Sequence, residues 1–291
     1  MKGYKMAAIT AAMVKELREM TGAGMMECKK ALSEVDGNME AAVDVLRTRG
    51  LAAAAKKAGR ATDEGTICAL VADDGKSGVV LELNCETDFV GMNEKFKAYA
   101  SRIAAIALAH NCSDVEQLKG LSDGTDTVND IITDAVHVLG ENVNLSRVQV
   151  LSGAACTSYI HMGGKIGVLT LFDVEGIDPT NADFVAYGRN VCMQVAAVNP
   201  VSANRESVDS ATVEHERSIY VAQAAESGKP EAIQHKIAEG RLEKFFKENC
   251  LSEQDYVKNP DQTISEYTQE VAKQLGGKIA INSFVRFSLG E

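Results

Sequence analysis

Ser122 is the residue whose surroundings most suggest covalent chemistry, because Gly120 and Gly124 flank it in a G-x-S-x-G pattern. In hydrolases this pattern holds the nucleophile on a sharp turn between a buried strand and a helix. Here the polar residues 114–119 before it have a helical pattern instead of a strand pattern. The context predicts a surface turn, and a serine hydrolase using Ser122 is kept as an alternative function.

Metal-binding and nucleotide-binding patterns are incomplete in this chain. His215 and Glu216 begin an H-E-x-x-H pattern, but Ile219 stands where the second histidine is required. Residues 163–165 and 276–278 are Gly-Gly-Lys, yet they lack the earlier glycine and the Ser or Thr of a phosphate-binding loop. We therefore predict no catalytic residue, no metal site and no bound cofactor.

Seven cysteines are scattered along the sequence, with no C-x-x-C pair among them. Isolated thiols without the spacing of a zinc or redox site are typical of small buried side chains in a reducing compartment. No run of residues approaches the ~18 apolar residues of a membrane-spanning helix. We expect a cytoplasmic protein without a membrane partner, with residues 1–5 as an extension that has no structural content.

Charge is distributed unevenly along the chain. The 291 residues contain 30 Lys and Arg against 41 Asp and Glu, a formal net charge of −11. A negative balance of this size argues against nucleic acid as a direct partner, since each phosphate contact requires a cation. Residues 1–60, however, contain 11 Lys and Arg against 7 Asp and Glu, a net charge of +4. The N-terminal segment is therefore a separate, mildly basic surface.

The elements that would position these residues begin with three short helical patterns. Apolar residues recur at helical spacing in residues 11–20, 25–35 and 39–49, with Gly or capping residues between them. A module of about 40 residues is near the lower limit for a stable fold, and we expect it to act as a docking surface. An Ala- and Lys-rich stretch, residues 51–59, follows as a helical linker.

A plan of two strands and a helix occurs twice after this linker. Strand patterns at residues 65–72 and 78–85 predict a hairpin, and a helical pattern follows at residues 94–109. Further along the chain the plan returns, and residues 164–169 resemble residues 75–80. We therefore predict a core of two related α/β subdomains, with antiparallel strands and helices, that arose by duplication.

The remaining patterns complete an α+β fold. Residues 205–246 predict two helices around a turn at residues 227–230, which is an antiparallel helical hairpin. A helix near 264–275 and a strand near 279–289 then return to the second subdomain. The predicted domains are a three-helix module with its linker (6–60), a first core subdomain (61–150), a second core subdomain (151–204 and 248–291) and the helical hairpin (205–247).

Three apolar side chains are candidates for contacts with another protein. Met25 and Met26 are adjacent at a predicted helix start, and Phe89 lies in a loop that only the first subdomain has. From the residues alone, at least one methionine could pack in its own core, and Phe89 could pack over Phe96 at the next helix. Packing within the chain and exposure to a partner are both open at this point.

The chain resembles the family of bacterial translation elongation factor Ts proteins over nearly its whole length from Ile9. The motifs that carry the resemblance are VKELR at 14–18, TGAGMMECKKAL at 21–32, NCETDFV at 84–90, GEN at 140–142, IGVL at 166–169, SGKP at 227–230 and FVRF at 284–287. The resemblance implies a UBA-like N-terminal module, two α/β core subdomains and a coiled-coil hairpin. It also implies a guanine-nucleotide exchange factor for the GTPase elongation factor Tu, which acts by a conformational effect and is not an enzyme of covalent chemistry.

The resemblance also assigns partner contacts to individual positions. Four positions in the N-terminal module would bind a helix of the GTPase domain: Arg18, Met25, Met26 and Lys29. Those in the loop would enter that domain near its Mg²⁺ site: Thr87, Asp88, Phe89 and Val90. Core residues would support these contacts or touch another domain of the partner: Leu139, Gly140, His161 and Val257.

The sequence departs from the family pattern at two of these contacts and at its end. The loop after His161 is one residue longer than the commonest form, and Lys258 stands where some members have Met. Some members carry a further C-terminal helix that reaches the GTPase domain, and we expect this chain to lack that contact. These departures bear on the contacts of His161 and Val257 most directly.

Two questions stay open at the level of sequence. A UBA-like or RNA-binding adaptor is a further alternative function, which the basic N-terminal module would permit. The helical hairpin could form a homodimer, contact the partner or cap the core, and its residues do not separate these roles.

Overall fold

The computed structural model describes residues 9–226, 228 and 230–291, and its mixture of helices and sheets confirms the predicted α+β class. The chain forms two compact units: residues up to 68 with 81–148, and residues 69–80 with 149–289. The predicted extension at residues 1–5 lies outside the described residues, as do Ser227 and Lys229 of the predicted turn. The division into four domains stays a proposal.

Three helices form the N-terminal module of the first unit: α1 (Ala11–Thr21), α2 (Met25–Glu34) and α3 (Met39–Lys57). Thr10 caps α1 by accepting the amide of Met13, and Asn38 caps α3 by accepting the amide of Ala41. The module has its own small core, in which Leu17 and Leu32 are fully buried. Helix α3 includes residues 51–57 of the predicted linker at 51–59, because this Ala-rich sequence has high helix propensity.

The first of the two predicted strand-and-helix repeats contains a sheet with the strand order β1-β2-β3. Its strands are β1 (Glu64–Val71), β2 (Ser77–Cys85) and β3 (Val143–Ser152), and the helices that follow β2 are α4 (Asp88–Gly91), α5 (Glu94–Ala109), α6 (Val115–Lys119) and α7 (Val128–Leu139). The central strand β2 is buried along nearly all of its length, as expected for a strand with neighbours on both sides. The candidate site residues of this part of the chain lie within or next to α4 and at the C-terminal end of α7.

The second unit contains an antiparallel sheet of order β4-β5-β8. Its strands are β4 (Ala155–His161), β5 (Ile166–Glu175) and β8 (Lys278–Ser288); α8 (Ala182–Val198), β6 (Asp255–Tyr256), β7 (Asn259–Thr263) and α11 (Ile264–Leu275) complete this part of the unit. Phe172, Phe184 and Tyr187 form an aromatic cluster between β5 and α8. Phe184 begins the sequence FVAY on α8, which matches FKAY at residues 96–99 on α5, and both phenylalanines are fully buried.

The helical hairpin consists of α9 (Ser210–Ala225) and α10 (Glu231–Asn249). Its helices are held together by a narrow buried seam: Ala224, Ala238 and Leu242. Near its base, Arg205 pairs with Glu243 and Glu253 and lies over the ring of Phe246, 4.9 Å from its centroid. This cluster fixes the chain where the hairpin leaves the rest of the second unit.

Candidate partner-binding site

The loop after β2 presents Phe89 to solvent. Phe89 lies on the four-residue helix α4 and is 81% exposed, while Asp88 is exposed and Val90 is half-buried. Thr87 caps this helix, because its hydroxyl oxygen accepts the amide of Val90 at 3.5 Å. A ring that is 81% exposed does not pack over Phe96, which is fully buried in the core, so the alternative in which Phe89 packs over Phe96 is wrong.

A carboxylate from a distant part of the sequence binds the base of this loop. Glu141 lies in the turn after α7, and its Oε2 accepts the backbone amides of Glu86 and Thr87, each at 3.0 Å. Its Oε1 accepts the hydroxyl of Thr87 at 2.6 Å. The Thr87 hydroxyl therefore has two roles: it accepts the amide of Val90, which caps the helix, and it donates a charge-assisted hydrogen bond to Glu141.

A second carboxylate makes the reciprocal connection. Glu86 Oε1 accepts the backbone amide of Asn142 at 2.6 Å and a hydrogen bond from Arg60 at 3.3 Å. The amide of Asn142, together with the guanidinium of Arg60, lowers the pKa of Glu86 below its ordinary value. The side-chain amide of Asn142 donates in turn to the carbonyl oxygen of Arg60 at 2.9 Å. Both carboxylates therefore tie the loop to the turn after α7.

The other end of α4 depends on a close approach between two backbones. A Cβ atom at Gly91 would lie 2.8 Å from the carbonyl oxygen of Gly65, at the start of β1. A Cβ atom at Gly65 would lie 2.2 Å from the carbonyl oxygen of Leu83 on β2. Only glycine fits at both positions, so α4 lies directly against the sheet.

We expect Gly91→Ala to lower the free energy of unfolding by about 1–3 kcal/mol, because its Cβ would force α4 away from a rigid carbonyl group. The control is Gly240→Ala on α10, where nothing lies within 4 Å of the added Cβ. That change should raise stability by about 0.5–1 kcal/mol, since alanine favours a helix interior. Guanidinium unfolding measures both; equal effects of the two substitutions would contradict the close approach.

On the N-terminal module the two methionines face outward. Met25 is 56% exposed and Met26 is 65% exposed at the start of α2. Lys29 is exposed one turn later, and Arg18 is exposed on α1. The buried face of α2 is formed by other residues: Cys28, Ala31 and Leu32. The alternative in which one of the methionines packs in the module's core is therefore wrong, and an apolar pair beside cations is available to a partner.

The candidate core contacts of the first unit lie at the C-terminal end of α7. Leu139 is half-buried, and Gly140 is exposed with φ of 81°, the left-handed conformation that glycine adopts most easily. The amide of Gly140 donates to the carbonyl oxygen of Val136. This cap ends α7 and directs the next residue, Glu141, toward the loop that carries Phe89.

The candidate contacts of the second unit lie in two separate turns. His161 ends β4, and its Nδ1 is 2.9 Å from the hydroxyl of Tyr159; Met162, which follows it, is exposed. Val257 lies between β6 and β7 with an exposed side chain, and its amide donates to Gln194 Oε1 at 2.9 Å. The carbonyl oxygen of His161 also accepts the amides of Gly164 and Lys165, each at 3.2 Å, so the backbone of both turns is fixed by internal hydrogen bonds.

Ser122 lies in a surface turn between α6 and α7, without the preceding strand that a nucleophile elbow requires. Its hydroxyl oxygen accepts the amide of Gly124 at 2.9 Å. Backbone amides of Asp126 and Thr125 and the side chain of Arg102 lower the pKa of Asp123 to about 2. His110 Nε2 is 3.2 Å from the Ser122 carbonyl oxygen, and this contact does not engage the hydroxyl group. The residues stabilise a turn and are not arranged for nucleophilic catalysis.

Six of the seven cysteines are buried and Cys68 is half-buried, all with free thiols. Burial raises the pKa of Cys156 to about 12 and that of Cys192 to about 11. Within the described ranges, no three His, Cys, Asp or Glu side chains are grouped to bind a metal ion. None of the helices in residues 9–226, 228 and 230–291 combines the length and hydropathy needed to cross a bilayer.

Known proteins of a single family match this chain over most of its length. The family model described as elongation factor TS matches residues 86–291. The chain is 49% identical to elongation factor Ts of Clostridium botulinum (strain ATCC 19397 / Type A) over 288 residues, covering 97% of this chain and 93% of the relative. The corresponding proteins of Clostridium acetobutylicum and of Clostridium perfringens (strain SM101 / Type A) are 48% and 46% identical, with the same coverage.

Proposed function

The chain belongs to the elongation factor Ts family, and from this premise we propose that it promotes guanine-nucleotide exchange on the GTPase elongation factor Tu. The family is one of translation elongation and protein biosynthesis. The protein would bind the GDP form of its partner, perturb the Mg²⁺ and phosphate site, and promote GDP release so that GTP can bind. It acts by a conformational effect, without covalent chemistry.

The observation that carries the proposal is the fixed exposure of Phe89. A GTPase retains GDP through backbone amides and a lysine around the phosphates and through bridging Mg²⁺. A side chain that inserts near this site displaces partner groups, and full burial of a phenylalanine contributes about 1.5–3 kcal/mol toward that displacement. Each 1.4 kcal/mol taken from nucleotide binding weakens it about tenfold. Phe89 is 81% exposed and has nearly all of this burial still to gain.

The coupling between the two ligands of the GTPase must be reciprocal. If this protein weakens GDP binding by some factor, bound nucleotide weakens the binding of this protein by the same factor. Incoming GTP therefore helps to expel the exchange factor, which completes the cycle. No step of this scheme requires a bond to be made or broken.

The other candidate residues would provide affinity and orientation. In the proposal, Met25 and Met26 bury against a helix of the GTPase domain, with Arg18 and Lys29 beside them. The loop residues Thr87, Asp88 and Val90 position Phe89 near the Mg²⁺ site of the partner. Leu139 and Gly140 support this loop. His161 and Val257 contact a further domain of the partner.

Three accompanying statements are also proposals. A homodimer through the hairpin has support in the exposed Val221 and Ile233 on its helices. The net charge of −11 supports a protein partner in preference to nucleic acid. A cytoplasmic location follows from a role in translation.

Isolation of a nucleotide-free complex tests this function. Mixed with elongation factor Tu and freed of nucleotide, the protein should co-elute with the GTPase on a sizing column. Added GDP should then separate the two proteins, because nucleotide and exchange factor weaken each other's binding. A complex that forms equally well in saturating GDP would contradict the proposal, and so would the absence of any complex.

A further inference from the structure

Phe89 needs support from elsewhere in the chain to remain exposed. A helix of four residues has too few internal hydrogen bonds to be stable alone. An exposed phenylalanine also gains free energy by turning inward and burying its ring. The conformation of this loop must therefore be fixed by contacts that lie outside α4 itself.

The contacts of Glu141 have the geometry that this support requires. Its carboxylate accepts three hydrogen bonds, two from successive amides and one from the hydroxyl that caps α4. The amides are those of Glu86 and Thr87, which immediately precede the helix, so they set the direction in which it begins. A carboxylate has lone pairs for all three donors, and it forms stronger hydrogen bonds than a neutral acceptor.

We infer that Glu141 is a positioning residue for nucleotide exchange: its carboxylate holds the Thr87 cap so that Phe89 projects toward the partner. This inference rests on the proposed function, and it adds a residue that acts through Phe89. The reciprocal bond from the Asn142 amide to Glu86 strengthens the same connection. Because Glu141 follows the cap of α7, Gly140 is required to direct it toward the loop.

Two substitutions separate the charge of Glu141 from its shape. Glu141→Ala removes all three hydrogen bonds and should lower the acceleration of GDP release about tenfold, the scale of a lost set of charge-assisted bonds. Glu141→Gln keeps one acceptor oxygen for the amides but loses the second, and about a threefold loss is expected. The control is Glu116→Ala, which removes an exposed carboxylate on α6 and should leave the rate unchanged.

A double-mutant cycle shows whether Glu141 acts through Phe89. In the Phe89→Ala background, Glu141→Ala should add less than about a twofold further loss, because the side chain it positions is already absent. Full additivity of the two losses would overturn the inference, as would a Glu141→Ala protein that accelerates release like the wild type. The Gln variant keeps this test valid if Glu141→Ala fails to fold.

Amide hydrogen exchange tests the positioning role without any partner. In Glu141→Ala the amides of Thr87 and Val90 should exchange about tenfold faster, while those in the middle of α5 keep their wild-type rates. Unchanged exchange at both amides would overturn the inference. If the wild-type protein does not accelerate GDP release, the proposed function is wrong, and this measurement alone then decides the role of Glu141.

Discussion

Phe89→Ala should reduce the acceleration of GDP release about 10- to 100-fold, because the substitution removes about 1.5–3 kcal/mol of burial that the proposed complex gains. The free energy of unfolding should change by less than about 0.5 kcal/mol, since the side chain is 81% exposed and folding buries little of it. Stopped-flow release of fluorescent GDP from elongation factor Tu measures the first effect. Chemical unfolding measures the second.

Val185→Ala is the control for Phe89. It removes another exposed apolar side chain, on α8, to which no partner contact is assigned. The control protein should accelerate GDP release as the wild type does. A Phe89→Ala protein that retains the wild-type acceleration would rule out insertion of this ring as the cause of release.

The double substitution Met25→Ala with Met26→Ala should raise the concentration needed for half-maximal acceleration about 30- to 100-fold. Each partly exposed methionine would lose roughly 1–1.5 kcal/mol of burial in the complex, and 1.4 kcal/mol corresponds to a factor of ten. The maximal release rate should stay within about threefold, because these side chains are proposed to bind the partner and not to reach its nucleotide site. Alanine favours helices, so α2 should remain folded.

A matched control for the methionine pair is Val185→Ala with Val198→Ala on α8, which also removes two exposed apolar side chains. It should leave the half-maximal concentration near its wild-type value. If the methionine variant instead lowers the maximal rate at an unchanged half-maximal concentration, docking is not the role of this surface.

Much of the fold could be predicted because strong local patterns coincide with its elements. The predicted helices at residues 94–109 and 264–275 have the bounds observed for α5 and α11. In both cases a polar N-cap precedes an apolar period, Asn93 for α5 and Thr263 for α11. The strands of the two hairpins were also predicted, because β-rich runs flank glycine-containing turns.

Helix α7 and strand β3 were missed, although their local signals are present. Thr127 and Asp130 form a capping box at the start of α7, and Gly140 ends it with a left-handed cap. Strands β6 and β7 give no periodic signal, because β6 has only two residues and the sequence of β7, NPDQT, has no apolar residue that could alternate with polar ones. Short elements of this kind are determined by tertiary contacts and not by their own residues.

The candidate site shows more clearly that local sequence patterns do not reveal tertiary contacts. Its exposed residues could be named from the resemblance, but local pattern left the packing of Phe89 and the methionines open. The role of Glu141 could not be predicted, because its hydrogen bonds join residues more than fifty positions apart in sequence. Only the GEN motif at residues 140–142 marked the turn, and it did not indicate which loop the glutamate binds.

The central claim is that this protein accelerates nucleotide release from a GTPase. The most direct measurement is the rate at which elongation factor Tu releases fluorescent GDP, with excess unlabelled GDP, as wild-type protein is added. We predict that the rate rises with concentration to a plateau well above the unassisted rate. A release rate that stays at the unassisted value at every concentration would contradict the account.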